Sequence, residues 1–201
     1  GPGWEDVVHR DERSGDRYRS YLRRDLALIV QWAATSVACI ARDWAGGNGA
    51  PVVFADMSEA DGSTPGTSRG RPTHPPGSHS MGNDVDVGYY QTRFMPDNEV
   101  RPVCPHLWGG NESWRCLGAP DRLDVRRTAL FTVLVAEQEI VRCIGVDGVI
   151  GPLLREAQFD LFDEGVITRA QLEADKLCYE TEDRGRGWFR SHHDHMHISV
   201  W

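Results

Sequence analysis

The chain has 201 residues, of which 40% are hydrophobic and 26% are charged. This composition supports a domain with its own core and excludes a disordered segment. With 22 Lys and Arg against 30 Asp and Glu, the formal net charge is -8, which argues against general nucleic-acid binding because that function requires a basic face. The most apolar stretch, residues 26–40, is interrupted by polar side chains and is too short to span a membrane.

The N-terminal half of the chain is predicted to combine one helix, two strands and a long loop. Residues 1–20 are polar and predict a solvated arm, and apolar side chains three and four positions apart predict an amphipathic helix over residues 21–44. β-branched and aromatic residues predict short strands at residues 52–55 and 85–90. Between them, residues 58–78 are rich in Gly, Ser, Thr and Pro, and such a long loop in a compact domain is usually functional or disordered.

The C-terminal half is predicted to carry the other helices and the last strand. An irregular segment, residues 95–120, precedes a helix predicted at residues 124–142 from its apolar stripe. Thr168 is a fair N-cap for a short helix at residues 167–172. The remaining predicted elements are a short strand at residues 146–150, a helix or helical turn at 151–163, a polar loop at 181–191 and a strand at 195–201.

These elements predict a single α+β domain with a small antiparallel sheet, flanking helices and long loops. Residues 1–45 are expected to form an N-terminal arm and helix packed on the domain, and residues 46–201 to form its globular unit. The chain opens with Gly1-Pro2-Gly3 rather than with a signal peptide, so its start does not indicate a compartment.

The chain has five cysteines but no Cys-x-x-Cys pair, so neither a thiolate zinc site nor a thioredoxin-type redox pair is expected. Cys104 and Cys116 lie in one irregular segment, where a disulfide would stabilise the chain in an oxidising compartment. Five free thiols are the alternative.

Histidine is the most informative residue type. Four of the eight histidines fall within six positions: His192, His193, His195 and His197. Residues two apart in a strand share a face at a spacing of about 6.6–6.8 Å, so His195 and His197 can point into one cleft. A tag remnant or a structural cluster would be the alternatives, but the intervening Asp194 and Met196 and the strand that follows favour a metal or catalytic site.

A second polar motif lies at residues 78–86. His79 is in the predicted loop and Asp86 is in the predicted strand, and a turn at Gly82 would fold them toward the same point. Two imidazoles and one carboxylate suit catalytic zinc and leave the fourth tetrahedral position for water. The spacing of His79 and Asp86 is weak evidence by itself, and the His-x-His pair at residues 195–197 makes it specific.

Together these motifs resemble the LAS group of zinc peptidases, which contains lysostaphin-type enzymes, D-alanyl-D-alanine metallopeptidases and the hedgehog signalling domain. The chain most resembles the penicillin-insensitive murein endopeptidases of the MepA type. Their Ser-His-x-x-Gly-x-Asp-x-Asp motif is present at residues 78–86, and their His-x-x-His-x-His motif is present at residues 192–197. The resemblance extends from about residue 50 to the end of the chain and implies the LAS/hedgehog-type fold; residues 1–45 are not matched.

The resemblance implies specific roles for the motif residues. It implies a ligand set for Zn²⁺: His79, Asp86 and His197. It implies that His195 acts beside the metal as a general base or as a stabiliser of the oxyanion, and that His192 is a second active-site imidazole. Strand parity instead favours His193 on the face of His195, and a turn before the strand would reconcile the two. Asp84 is either an outer partner of the ligands or purely structural.

The implied activity is zinc-dependent hydrolysis of peptide cross-links in peptidoglycan, as in murein D,D-endopeptidases, in the periplasm or outside the cell. The alternatives are a D-alanyl-D-alanine carboxypeptidase and a non-catalytic, zinc-stabilised binding module of the hedgehog type. Carboxypeptidases of this group usually place a Glu upstream of the last ligand, where this chain has Asp194 and His195, and this difference favours the endopeptidase. No nucleic-acid partner and no membrane span are expected.

The net charge does not favour an acidic cell-wall substrate, so a local basic rim would be needed. Its candidates are Arg69, Arg71, Arg93 and Arg190. The other histidines, His9, His74 and His106, are interpreted as arm or loop residues, with substrate contact by His74 as a minor alternative. Three tryptophans of the irregular segments are interpreted as packing residues rather than as walls of a groove: Trp108, Trp114 and Trp188.

Overall fold

The structure is a computed structural model that describes residues 3–6, 19–107, 114–185 and 188–201. Most of the predicted polar arm, including His9, lies outside the described residues, and so does Trp108. No helix in the described part of the chain is long and apolar enough to cross a membrane.

A mixed β-sheet forms the centre of the described fold. Its strands are β1 (Trp4–Asp6), β2 (Val52–Phe54), β3 (Asp84–Gly88), β4 (Val141–Gly145), β5 (Leu177–Cys178) and β6 (His195–Val200), in the spatial order β1-β2-β3-β6-β4-β5. The four central strands pair antiparallel, as predicted, but the outer pairs β1–β2 and β4–β5 are parallel. The prediction of an antiparallel sheet is therefore wrong at both edges.

Four α-helices lie in the described residues: α1 (Arg24–Ile40), α2 (Val125–Ala136), α3 (Ile150–Asp163) and α4 (Arg169–Glu173). Helix α1 connects β1 to β2, and α3 with α4 connect β4 to β5, because parallel neighbours require a crossover connection. Helix α2 contacts the other three helices and β4. Asp124 caps its first turn by accepting the backbone N–H of Arg127 at 3.1 Å.

The helix predicted at residues 124–142 is too long. Helix α2 ends at Ala136, and Val141 begins β4 instead. A backbone hydrogen bond of 3.0 Å from Val141 to Gln138 closes the turn between the two elements. Val141 is buried in the strand, as it would be on the apolar face of a longer helix. The apolar period of the sequence therefore continues past the end of the helix and could not place the boundary. The strand predicted at residues 146–150 is also wrong. The strand is β4, five positions earlier, and Ile150 begins α3.

The predicted helix at residues 151–163 is confirmed as α3, and the predicted cap at Thr168 is confirmed. The Thr168 side chain accepts the backbone N–H of Gln171, and the Gln171 side chain accepts the backbone N–H of Thr168. This reciprocal pair is a capping box, which fixes the start of α4.

The structure contains the predicted disulfide and one that was not predicted. Cys104 is bonded to Cys116, and Cys143 on β4 is bonded to Cys178 on β5, 35 positions later. The second bridge joins two strands whose adjacency comes only from the tertiary fold, so the sequence spacing gave no sign of it. Cys39 is free and exposed. Two disulfides are consistent with an oxidising compartment.

We expect the Cys143–Cys178 bridge to stabilise the edge of the sheet. The double variant Cys143→Ala/Cys178→Ala should lower the free energy of unfolding by about 2–4 kcal/mol, because the unfolded chain gains the freedom of an open loop. Equilibrium urea denaturation measures this change. The matched control Cys39→Ser should shift the free energy by less than about 0.5 kcal/mol, and equal losses in the two variants would contradict the prediction.

Candidate metal and active site

The register between β3 and β6 brings the two sequence motifs onto one face of the sheet. The cross-strand pairs are Asp84 with Ser199, Asp86 with His197 and Gly88 with His195. The residues between them along the two strands are fully buried in the core: Val85, Val87, Met196 and Ile198. Because alternate strand residues share a face, Asp-x-Asp and His-x-His form one polar surface opposite the core.

His79 reaches this surface through a tight turn before β3. Gly82 in the turn has φ 69°, and a Cβ there would lie 2.5 Å from Arg23 N, so only glycine fits. His79 itself has φ 51°, a left-handed conformation that is uncommon outside glycine and is often found at functional sites. The backbone N–H of His79 donates to Asp84 Oδ2 at 2.8 Å, and its Nε2 lies 3.4 Å from Asp86 Oδ1. Asp84 therefore fixes the backbone that presents His79.

One carboxylate oxygen lies at the centre of the cluster. Asp86 Oδ1 is 3.0 Å from His197 Nδ1, 3.4 Å from His79 Nε2 and 3.6 Å from His195 Nε2. Burial alone would raise the pKa of Asp86, but the charges of His195 and His79 and the hydrogen bond from His197 hold this pKa well below its usual range. The carboxylate is therefore ionised at neutral pH.

Each of the two histidines of β6 has one ring nitrogen near Asp86 and the other near a second carboxylate. His195 Nδ1 is 2.7 Å from Asp194 Oδ1, and His197 Nε2 is 3.3 Å from Asp84 Oδ1. Burial alone would lower the pKa of His195, but Asp86 and Asp194 raise it to about 9. At His197, too, burial alone would lower the pKa, but Asp84 and Asp86 raise it to about 9. Both rings are therefore cationic at neutral pH in the metal-free protein.

His192 lies in the cluster, whereas His193 points elsewhere. The ring centroid of His192 is 5.4 Å from that of His195, while the ring of His193 contacts His106 at a centroid distance of 5.2 Å. Ser191 has φ 74°, and β6 begins only at His195, so strand alternation does not extend to residues 192 and 193. The chain bends before β6, and this bend places His192 rather than His193 beside His195.

The backbone of His192 is held by the core. The hydroxyl of the fully buried Tyr89 donates to the carbonyl oxygen of His192 at 2.9 Å. Burial, together with the positive charges of His195 and His197, lowers the pKa of His192 to about 3. Its ring is therefore neutral beside two cationic rings.

His74 lies in the loop, as predicted, and the loop brings its side chain to the site. The candidate ligand atoms of His74, His79 and Asp86 lie within 4.8 Å of one another, so the three side chains could hold a metal ion. The rings of His74 and His79 are 4.1 Å apart between centroids. The sequence offered one sign of this role, the position of His74 five residues before His79 in an unusually long loop.

The group differs from the predicted ligand set at one position, with His74 in place of His197. His79 and Asp86 belong to both sets. Within the described residues His79 Nδ1 is buried and has no hydrogen-bond partner, and such an atom is costly unless it has a partner of another kind, such as a cation. Two imidazoles and a carboxylate are a donor set that suits Zn²⁺.

The cluster lines an open cavity of about 700 Å³ whose wall also contains Trp114 and Trp188. Gly145 on β4 pairs with His197, and a Cβ at Gly145 would lie 2.1 Å from Trp188 Cζ3. Glycine at this position therefore allows the indole of Trp188 to lie over the sheet, 5.3 Å from the His192 ring. The interpretation of Trp114 and Trp188 as packing residues is thus incomplete, since both also face the cavity.

The four arginines considered for a basic rim do not line the cavity. Among the described residues that line it there is no arginine or lysine, and Arg190 forms an ion pair with Asp183 at 2.8 Å.

Comparison with known proteins yields no family assignment, since no family model and no curated protein matches the chain. The resemblance to zinc peptidases therefore stays a prediction based on the motifs.

We expect the metal-free protein to lose stability as the pH rises from about 6.5 to about 9. A histidine whose pKa is raised on folding stabilises the fold fully below its unfolded pKa, and this contribution is lost as the pH passes the folded pKa. Urea denaturation of chelator-treated protein across this range measures the effect. The double variant His195→Gln/His197→Gln should flatten the slope, and an equally steep slope in the variant would refute the assignment.

Proposed function

We propose that the protein is a zinc-dependent peptidase that hydrolyses peptide cross-links of peptidoglycan, as a murein D,D-endopeptidase outside the cytoplasm. One observation carries the proposal: two motifs that lie more than a hundred positions apart converge on Asp86 Oδ1 in the wall of an open cavity. The motif resemblance supplies the substrate class, and the two disulfides agree with the compartment.

His79 and Asp86 would hold the zinc ion, with His197 as the third predicted ligand. When bound, zinc supplies a Lewis acid that polarises the scissile carbonyl and makes water more acidic. The chain itself provides the groups that move protons and stabilise charge.

His192 is the neutral imidazole of the cluster and the candidate proton acceptor. Burial and the charges of His195 and His197 lower its pKa to about 3 in the metal-free protein, so this role requires that His197 gives up its charge as a metal ligand. His192 Nδ1 lies 2.8 Å from the carbonyl oxygen of Arg190, and since a carbonyl only accepts, Nδ1 carries the hydrogen. In the neutral ring the unprotonated atom is then Nε2, which is available as a general base. The hydrogen bond from Tyr89 to the His192 backbone keeps this ring in place.

His195 is suited to stabilise the oxyanion. Asp194 accepts a hydrogen bond from Nδ1 at 2.7 Å and fixes the ring, so Nε2 of the cationic imidazole can donate to a developing negative charge. A preorganised donor of this kind contributes about 3–4 kcal/mol to transition-state stabilisation.

The charge of the cavity favours an endopeptidase over a carboxypeptidase. An enzyme that removes a terminal residue must bind a free carboxylate, for which arginine is the usual partner. The part of the lining that the structure describes has no arginine or lysine. An internal peptide cross-link makes no such demand.

We expect zinc-loaded protein to split cross-linked dimeric muropeptides and His195→Ala to slow this reaction by about 10²–10⁴-fold. Zinc content should stay unchanged in this variant because His195 is not a predicted ligand. Mass spectrometry of the products and elemental analysis measure the two quantities, and His106→Ala is the matched histidine control outside the cavity.

The alternative functions give different products in the same assay. Loss of a single alanine would identify a carboxypeptidase, and tight zinc binding without any new peptide ends would identify a binding module. Cleavage that persists in the presence of a chelator would contradict the proposed metal dependence.

A further inference from the structure

A hydrogen bond to Asp56, which is itself paired with Arg19, holds His74 in place. His74 Nε2 lies 2.7 Å from Asp56 Oδ2, and Arg19 Nη1 lies 3.1 Å from Asp56 Oδ1. The three side chains are only 14–18% exposed. A carboxylate that bonds one imidazole nitrogen fixes the orientation of the ring and leaves the other nitrogen for a metal, as at most metal-binding histidines.

Backbone hydrogen bonds fix the segment that supplies Arg19. The N–H of Met57 donates to the carbonyl oxygen of Arg19 at 2.8 Å, and Tyr21 and Ser58 exchange two hydrogen bonds of 3.1 and 3.0 Å. The backbone of Arg19 is therefore bonded to that of Met57, the residue after Asp56, and this bond keeps the Arg19 side chain within reach of Asp56.

The same two segments also contact the predicted ligands. The carbonyl oxygen of Asp56 accepts the N–H of Asp86 at 2.9 Å, and the N–H of Arg23 donates to the carbonyl oxygen of Gly82, in the turn that presents His79, at 3.1 Å. Residues 19–23 thus support the site in two places: Arg19 pairs with Asp56, and Arg23 holds the turn that presents His79.

We propose that His74 is a ligand of the bound metal ion and that Asp56 and Arg19 are positioning residues that hold its ring at the ion. The inference rests on the metal site of the proposed function. It adds a fourth protein donor to His79, Asp86 and His197, so that the water needed for hydrolysis would be the fifth ligand of the ion. It also makes residues 19–23, which lie in the part of the chain that the motif resemblance does not cover, a determinant of metal affinity.

The test measures zinc affinity by competition with a chromogenic chelator. His74→Ala should weaken binding about tenfold or more, and Asp56→Asn should weaken it about 10–100-fold, since loss of a partner that orients a ligand has that effect. Arg19→Gln should weaken binding, and Arg19→Lys should restore part of it by returning the charge. Asp61→Asn, at an exposed carboxylate in the same loop region, and His106→Ala are the matched controls and should bind zinc like the unaltered protein.

Cobalt substitution provides a second readout. The visible absorption of bound Co²⁺ depends on its ligands, so His74→Ala should change this spectrum while the two controls should not. Thermal unfolding in the presence of chelator shows whether each variant folds, and His74→Gln replaces His74→Ala if the smaller side chain prevents folding.

Unchanged zinc affinity together with an unchanged cobalt spectrum in a folded His74 variant would overturn the assignment of the ligand. Weakened binding in His74→Ala but not in Asp56→Asn would overturn the positioning role. Because these readouts do not depend on peptide cleavage, zinc binding that requires His74 in a protein that cleaves no muropeptide would sink the proposed function and leave this inference standing.

Discussion

The buried carboxylate of Asp86 is the group around which the site is organised. Asp86 is 4% exposed, and a carboxylate at such depth stays ionised only when donors and positive charges surround it. His79, His195 and His197 supply both, and the carboxylate in turn favours the charged forms of His195 and His197. In the metal-free protein the protonated imidazoles compensate the negative charge. A divalent cation can provide the same compensation while it releases protons, so the electrostatics that stabilise the metal-free cluster also prepare it for a metal.

The pairing of β3 with β6 couples this cluster to the hydrophobic core. A slip of one residue in the register would move Asp84 and Asp86 to the core face and Val85 and Val87 to the cavity. Burial of the alternating apolar residues opposes such a slip. The alignment of Asp86 with His197 is therefore enforced by core packing as well as by the interaction between the two side chains, and the ligands from the two motifs stay aligned even when the site holds no ion.

Local patterns in the sequence predicted the parts of this arrangement that depend on one segment at a time. Periodicity identified α1 and the core of α2, β-branched and aromatic residues identified β3, and alternation placed His195 and His197 on one face. The parallel edges were not predictable, because β1 is a three-residue strand within the predicted polar arm and β5 has only two residues. The role of His74 was hidden for a different reason. Its partner Asp56 is 18 positions away, and Arg19, which pairs with Asp56, is 55 positions away from His74. No periodic pattern connects a long irregular loop to the residues that it meets in the fold.

The structure thus divides the candidate ligands between two kinds of support. Asp86 and His197 lie on paired central strands and are fixed by the register, whereas His74 lies in the long loop and is fixed by its hydrogen bond with Asp56, which in turn pairs with Arg19. Strands hold side chains more rigidly than loops, and a partly buried ion pair is lost when either partner is displaced. If substrate or metal moves any donor of this site, His74 is therefore the donor that moves at the lowest cost.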